Sequence, residues 1–154
     1  MITLADILPA THVTLDVVAT TPKTAIDEVV TLVKNDPAVD DWNALLAGVH
    51  AVAPCLPEME GGFAICIPHT RGECVSTMVM SVGRSVAGVV FPGVELPVRY
   101  IFCIAVPRAL AADYLRIVGL LARVFKDPAA ECELRAAESP ADFIALLSRR
   151  EAKL

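Results

Sequence analysis

The sequence predicts an α+β fold, a three-layer α/β/α sandwich around a mixed central sheet, with its elements in strand-helix-helix-strands-helices order. Three observations carry this reading. The middle of the chain holds three apolar runs, FAICI (63–67), VSTMVMSVG (75–83) and VRYIFCIAV (98–106), rich in Val and Ile and bounded by Gly, Pro or charge. Their hydrophobicity is nearly continuous, as in strands covered on both faces. Helical stripes lie before and after them, grouped instead of alternating strictly with strands, which makes the sheet mixed.

Each element has a local reason. VTLDV (13–17) reads as a short strand from its β-branched content. Thr21-Pro22 supplies a cap and a proline at the first helical position, and Ile26, Val29, Val30 and Val33 follow at helical spacing. Residues 22–35 are therefore expected as an amphipathic helix, stopped by Asn35-Asp36-Pro37. Asp40 or Asp41 can cap a second helix with the stripe Trp42, Leu45, Leu46 and Val49. Beyond the strands, residues 110–126 carry Leu110, Tyr114, Ile117, Val118, Leu121 and Phe125, and Lys126-Asp127-Pro128 ends that helix. A shorter helix is expected near 129–137. Ser139-Pro140-Ala141-Asp142 opens a last helix as a capping box, with Phe143, Leu146 and Leu147 inward. No repeat, low-complexity tract or composition break divides the chain, so 1–154 reads as a single domain.

Composition excludes several classes. The 154 residues carry 13 basic and 18 acidic side chains, a net charge of −5, and are 55% apolar. That is too apolar for a disordered chain and too acidic for a nucleic-acid binder that works through phosphate contacts. The mean hydropathy of +0.59 raises the question of a membrane. The longest uncharged stretch, 42–57, is broken by Asn43, His50, Pro54 and Pro57, and falls short of the roughly 20 apolar residues a span needs. MITLADILPATH has no basic start and carries Asp6 in its apolar run, unlike a signal peptide. Cysteines 55, 66, 74, 103 and 132 are odd in number and scattered, which suits a reducing cytoplasm. The expectation is a cytoplasmic protein, not membrane-embedded and not bound to nucleic acid, whose leftover apolar surface favours a homo-oligomer.

Ile67-Pro68-His69 falls where a buried strand is expected to end, with Thr70, Arg71 and Gly72 next. Pro68 fixes its own φ and restricts Ile67, which narrows how His69 is aimed. An imidazole beside a hydroxyl and a guanidinium suits a phosphoryl acceptor: neutral imidazole attacks phosphorus without a strong base, and Arg71 can hold the equatorial oxygens. The competing reading is a histidine that ends a strand and bonds a carbonyl. Asp113 can orient the imidazole or simply complement a helix N-terminus. Cys66-x-x-His69 with Cys74 nearby admits a metal site, but no fourth ligand is evident and a core cysteine explains Cys66 better. Cys103 reads as core; His12 and His50 read as ordinary surface or boundary histidines.

GGFAICIPHTR (61–71) resembles the segment around the active histidine of the type-2 enzyme IIA domains of the bacterial sugar phosphotransferase system, whose core reads G-I-A-I-P-H. These include the mannitol and fructose branches and the nitrogen-related regulators. LADILPATHVTLDVVATTPKTAIDEVVTLV (4–33) resembles the family's opening strand and first helix, with Lys23 and Ala25-Ile26 in place. Residues 75–107 resemble its pair of core strands, and YLRIVGLLARVFKD (114–127) its long third helix. The resemblance implies the same sandwich and a phosphoryl relay, in which a histidine-containing phosphocarrier protein donates and an enzyme IIB-type partner accepts. His69 would be the nucleophile and site of phosphohistidine, with no cofactor or metal. Two departures stand out. The family's Arg-Glu pair and following Thr-Gly are replaced by HAVAPCLPEMEGG (50–62), which brings Glu58 and Glu60, and Tyr114 stands where many members carry a second histidine. Thr70, Arg71 and Tyr114 are then the phosphoryl-binding candidates. The alternative is a degenerate enzyme IIA-like module that regulates or binds without being an efficient carrier.

Overall fold

The computed structural model describes residues 1–59 and 61–154, with the side chains of 57–59 outside the description. The helices are α1 (Leu4–Ile7), α2 (Pro22–Val30), α3 (Trp42–Ala51), α4 (Ala111–Lys126), α5 (Pro128–Ala136) and α6 (Pro140–Ala152). The strands are β1 (Val13–Thr14), β2 (Cys55–Met59), β3 (Phe63–Cys66), β4 (His69–Arg71), β5 (Val79–Val89) and β6 (Val98–Val106). They form one mixed sheet in the order β1-β5-β6-β3-β2, with β4 also paired to β6. β5 runs antiparallel to β6, while β3 and β4 run parallel to it.

The expected caps are made by side chains. Thr21 accepts from the Thr24 amide, Asp41 from Ala44, and Ser139 from Asp142. Helix α2 stops earlier than expected and tightens into a 3-10 turn over Thr31–Val33. The Thr31 hydroxyl donates to the Asp27 carbonyl at 2.6 Å, a local bond that competes with continued helix. β1 is also shorter than expected: the Leu15 carbonyl accepts from Arg84 Nε instead of a neighbouring strand. β5 starts at Val79 because residues 75–76 belong to another contact. Val75 bridges Val39, and the Ser76 amide donates to Ala38.

Each strand's apolar run splits into two faces by residue size. Phe63, Ile65, Tyr100, Phe102, Ile104 and Val106 pack beneath α1, α4, α5 and α6 with Ile117, Leu121, Phe125 and Phe143. Ala64, Cys66, Ile101, Cys103 and Ala105 pack beneath α2 and α3 with Ile26, Val29, Leu45 and Val49. The large-residue face thus keeps its helices at ordinary distance, and the small-residue face lets two helices come close. Gly83 and Gly48 mark that closeness. A Cβ on Gly83 would run into Val29 and Val17, and one on Gly48 would lie 2.5 Å from Thr70 Cβ. Among the described residues, no helix is long and apolar enough to cross a membrane.

Candidate functional site

His69 follows the end of buried strand β3, as the sequence suggested, and also opens a further strand, β4. Cys66 pairs with Ile101 and His69 with Ile104, so β3 and β4 keep one register along β6 across the Ile67-Pro68 interruption. The other edge is held by 52–54: the Ile67 amide donates to the Pro54 carbonyl and the His69 amide to Val52. Strand alternation then places the side chains. His69 and Arg71 continue the face of Phe63, Ile65 and Ile67 toward α4, and Thr70 turns to the opposite face, against Gly48 of α3.

The imidazole is held by its own backbone. Nδ1 lies 3.0 Å from the Ile67 carbonyl, which only accepts, so Nδ1 carries the proton. Nε2 is left with its lone pair in the ring plane and has no hydrogen-bond partner among the described residues. Asp113 takes no part in this bond; its carboxylate lies 4.0 Å from Arg116 along α4. Tyr114 stands over the imidazole, with ring centroids 5.0 Å apart and an interplanar angle of 36°. Burial pushes the Tyr114 hydroxyl above its ordinary value, so it remains a donor at neutral pH.

An open cavity of about 480 Å³ brings His69, Thr70, Arg71 and Tyr114 together with Gly48, Ala51, Val52, Val106, Ala111 and Leu115. Arg71 is the only charged side chain among these lining residues. The guanidinium is exposed and forms no ion pair among the described residues. Val52 (48% exposed) and Leu115 (69%) give the rim an apolar character suited to a protein partner. The Glu58 side chain and Glu60, which the sequence suggested near this site, lie outside the described residues.

The other histidines are placed differently from expectation or from His69. His12 is buried, not at the surface: Nδ1 meets the Met80 carbonyl at 3.0 Å and Nε2 the Asp36 carboxylate at 3.3 Å. His50 Nε2 lies 2.6 Å from Asp27. Both are tied to a carboxylate through Nε2, the nitrogen that His69 leaves open. Cys66 and Cys103 are buried in the sheet, as expected, and burial pushes the Cys103 thiol up.

Sequence reasoning missed Gly48 and the Val52 and Leu115 rim. Gly48 did carry a signal, because glycine in a helix interior costs about 1 kcal/mol relative to alanine and is retained for close packing. The rim carried none, since exposed aliphatic residues are ordinary.

A family model for the phosphoenolpyruvate-dependent sugar phosphotransferase system, EIIA 2, matches residues 6–150. A fructose-specific EIIA component of this system from Haloferax volcanii is 31% identical over 127 residues, covering 78% of each chain. Among solved structures, the nitrogen regulatory protein IIA-Ntr from Neisseria meningitidis superposes with a TM-score of 0.73 at 22% identity, covering 94% of this chain and 98% of that one. Enzyme IIAMTL from Escherichia coli, solved in complex with phosphorylated enzyme IIBMTL, gives 0.73 at 18% identity, covering 92% and 97%.

Proposed function

The chain belongs to the EIIA 2 family of the phosphoenolpyruvate-dependent sugar phosphotransferase system, and from that premise we propose that His69 is its phosphoryl-accepting nucleophile. The observation that carries this reading is the hydrogen bond from Nδ1 to the Ile67 carbonyl, which fixes the tautomer and leaves Nε2 facing an open cavity. In the proposed reaction the Nε2 lone pair attacks the phosphorus of a phosphohistidine on a small phosphocarrier protein. The new P–N bond forms as the donor's P–N bond breaks, and the donor ring keeps that electron pair. Positive charge then grows on the His69 ring, where Nδ1–H already points at a carbonyl dipole, so no proton needs to move during the step.

Arg71 supplies the positive charge for the phosphoryl oxygens, in the role the family gives to an upstream arginine absent from HAVAPCLPEMEGG. Tyr114 donates one hydrogen bond to the same group. Thr70, turned to the other side of the strand against Gly48, contributes to the cavity wall and not to the phosphoryl contacts. Release runs the step in reverse toward an enzyme IIB-type acceptor, a partner class supported by the likeness to an enzyme IIA solved with its phosphorylated IIB. The apolar rim of Val52 and Leu115 offers the docking surface.

A phenol in place of the second imidazole favours one other reading, an enzyme IIA-like module that binds or regulates without efficient transfer. One experiment separates them. The protein is incubated with labelled phosphoenolpyruvate and the general phosphotransferase proteins. Acid-labile label that disappears in His69→Ala supports the carrier; absence of label, or label that survives His69→Ala, overturns it.

A further inference from the structure

A second feature lies on β2 and β3, ahead of β4, and does not depend on the role of His69. Cys55 of β2 sits directly opposite Cys66 of β3 in the antiparallel register. The Ile67 amide bonds the Pro54 carbonyl, one position along, so 54 and 67 form a hydrogen-bonded pair. The alternation of an antiparallel ladder then makes 55 and 66 a non-hydrogen-bonded pair, the kind whose Cα atoms approach to about 4.5 Å. That spacing falls within the roughly 4.4–6.8 Å range of disulfides, and the side chains of such a pair project to the same face.

We propose that Cys55 and Cys66 are a redox-active thiol pair, which a hydroperoxide oxidises to a cross-strand disulfide with Cys55 as the attacking thiol. The two residues are unequally placed for this. Cys66 is fully buried and its Sγ lies 3.5 Å from the Ala53 carbonyl. Cys55 lines a separate open cavity of about 610 Å³, together with Lys23, Ile26, His50 and Phe91. The interaction between the two facing thiols lowers the Cys55 thiol and raises that of Cys66, which burial raises further. The thiolate is therefore favoured on the sulfur that meets solvent, with the Lys23 ammonium lining the same space.

In the first step the Cys55 thiolate attacks one peroxide oxygen. An S–O bond forms, the O–O bond breaks, and the leaving oxide takes a proton to become water or an alcohol. Cys55 is now a sulfenic acid. Cys66 then gives up its proton and attacks the Cys55 sulfur, forming S–S, breaking S–O and releasing water. The thiols lose two electrons and two protons together, and the peroxide is reduced by the same two electrons.

The test oxidises the full-length protein with hydrogen peroxide, alkylates the remaining thiols and maps peptides by mass spectrometry. The free-thiol count is expected to fall by two from five, with one peptide linking Cys55 to Cys66, and dithiothreitol restores both thiols. Cys66→Ser is expected to stop at a sulfenic acid on Cys55 that dimedone traps. Cys55→Ser, at the less buried position, removes the disulfide and leaves Cys66 reduced. Retention of all five thiols, a linkage through exposed Cys132, or oxidation of Cys66 in Cys55→Ser would overturn the proposal.

Discussion

Two polar clusters lie on the same face of β6 and are built from similar side chains. Near its start, Arg99, Tyr100, Glu131 and Arg84 are locked together. Arg99 meets Glu131 at 2.6 Å, the Tyr100 hydroxyl donates to the same carboxylate at 3.2 Å, and Arg84 donates to the carbonyls of Leu15, Leu134, Arg135 and Ala137. Near its end, beside Ile104 and Val106, stand His69, Arg71 and Tyr114, with one hydrogen bond from His69 to its own backbone. The first cluster is buried and must satisfy its own donors, because an unpartnered buried charge costs several kcal/mol. The second opens to water, so its donors can wait for a ligand. An arginine and a tyrosine are structural in one place and available in the other for this reason alone.

That contrast can be broken from either end. Glu131→Ala should have the largest effect, a loss on the order of 3–5 kcal/mol in chemical denaturation, because it strands Arg99 and the Tyr100 hydroxyl. Phosphoryl labelling of the molecules still folded should stay at the wild-type level; a parallel loss would mean the clusters are coupled. Gly48→Ala reaches the site through packing. Its new methyl group meets Thr70 and forces β4 or α3 to move, which should cost about 1–3 kcal/mol and slow labelling as well. Wild-type labelling in a destabilised Gly48→Ala would show that the aim of His69 tolerates a displaced strand. Arg71→Ala should do the opposite of Glu131→Ala, leaving stability within about 0.5 kcal/mol and reducing the labelling rate roughly tenfold to a hundredfold. Equal labelling of wild type and Arg71→Ala would remove Arg71 from the phosphoryl site. Tyr114→Phe should give the mildest loss, roughly twofold to tenfold in the same assay.

Alkaline pH reports on the buried Tyr100. Burial, reinforced by Glu131, holds the Tyr100 hydroxyl well above its ordinary value of 10. The unfolded chain releases that proton near pH 10 while the folded one retains it, so the unfolded state binds fewer protons there. The contribution is complete below pH 10 and is lost as pH rises beyond it. Denaturation midpoints measured across that range should fall steeply for the wild type and more gently for Tyr100→Phe. An unchanged slope in Tyr100→Phe would show that other groups govern alkaline unfolding.

Much of this architecture is legible along the chain because burial writes itself in long patterns. β6 occupies the same residues as its apolar run, Val98–Val106, α4 begins and ends within a residue of its signals, and α6 starts directly after its Ser139 cap. Two strands are missed because burial does not mark them. β2 contains Pro57 and Glu58 and pairs only at the sheet edge. β4 is three polar residues, and its existence depends on a register inherited from β3 across a proline. The same limit applies to the site. His69 and the neighbouring Tyr114 could be picked out as candidates, the first from its place after a buried strand together with family resemblance and the second from resemblance alone. The turning of Thr70 away from His69 depended on which face β4 presents, which nothing local specifies. Asp113 was a reasonable orienting group by proximity in sequence, but a backbone carbonyl two residues before His69 already occupies Nδ1.

That tether from His69 to Ile67 orients the ring through backbone alone, without borrowing a side chain. It closes within three residues of chain, and the backbone beneath it is held by the carbonyls of Val52 and Pro54. A side chain beside the imidazole, such as Tyr114, can therefore be replaced without removing the bond that orients the ring. Under the proposed function, such a change alters the grip on a phosphoryl group and leaves its point of attachment where it was.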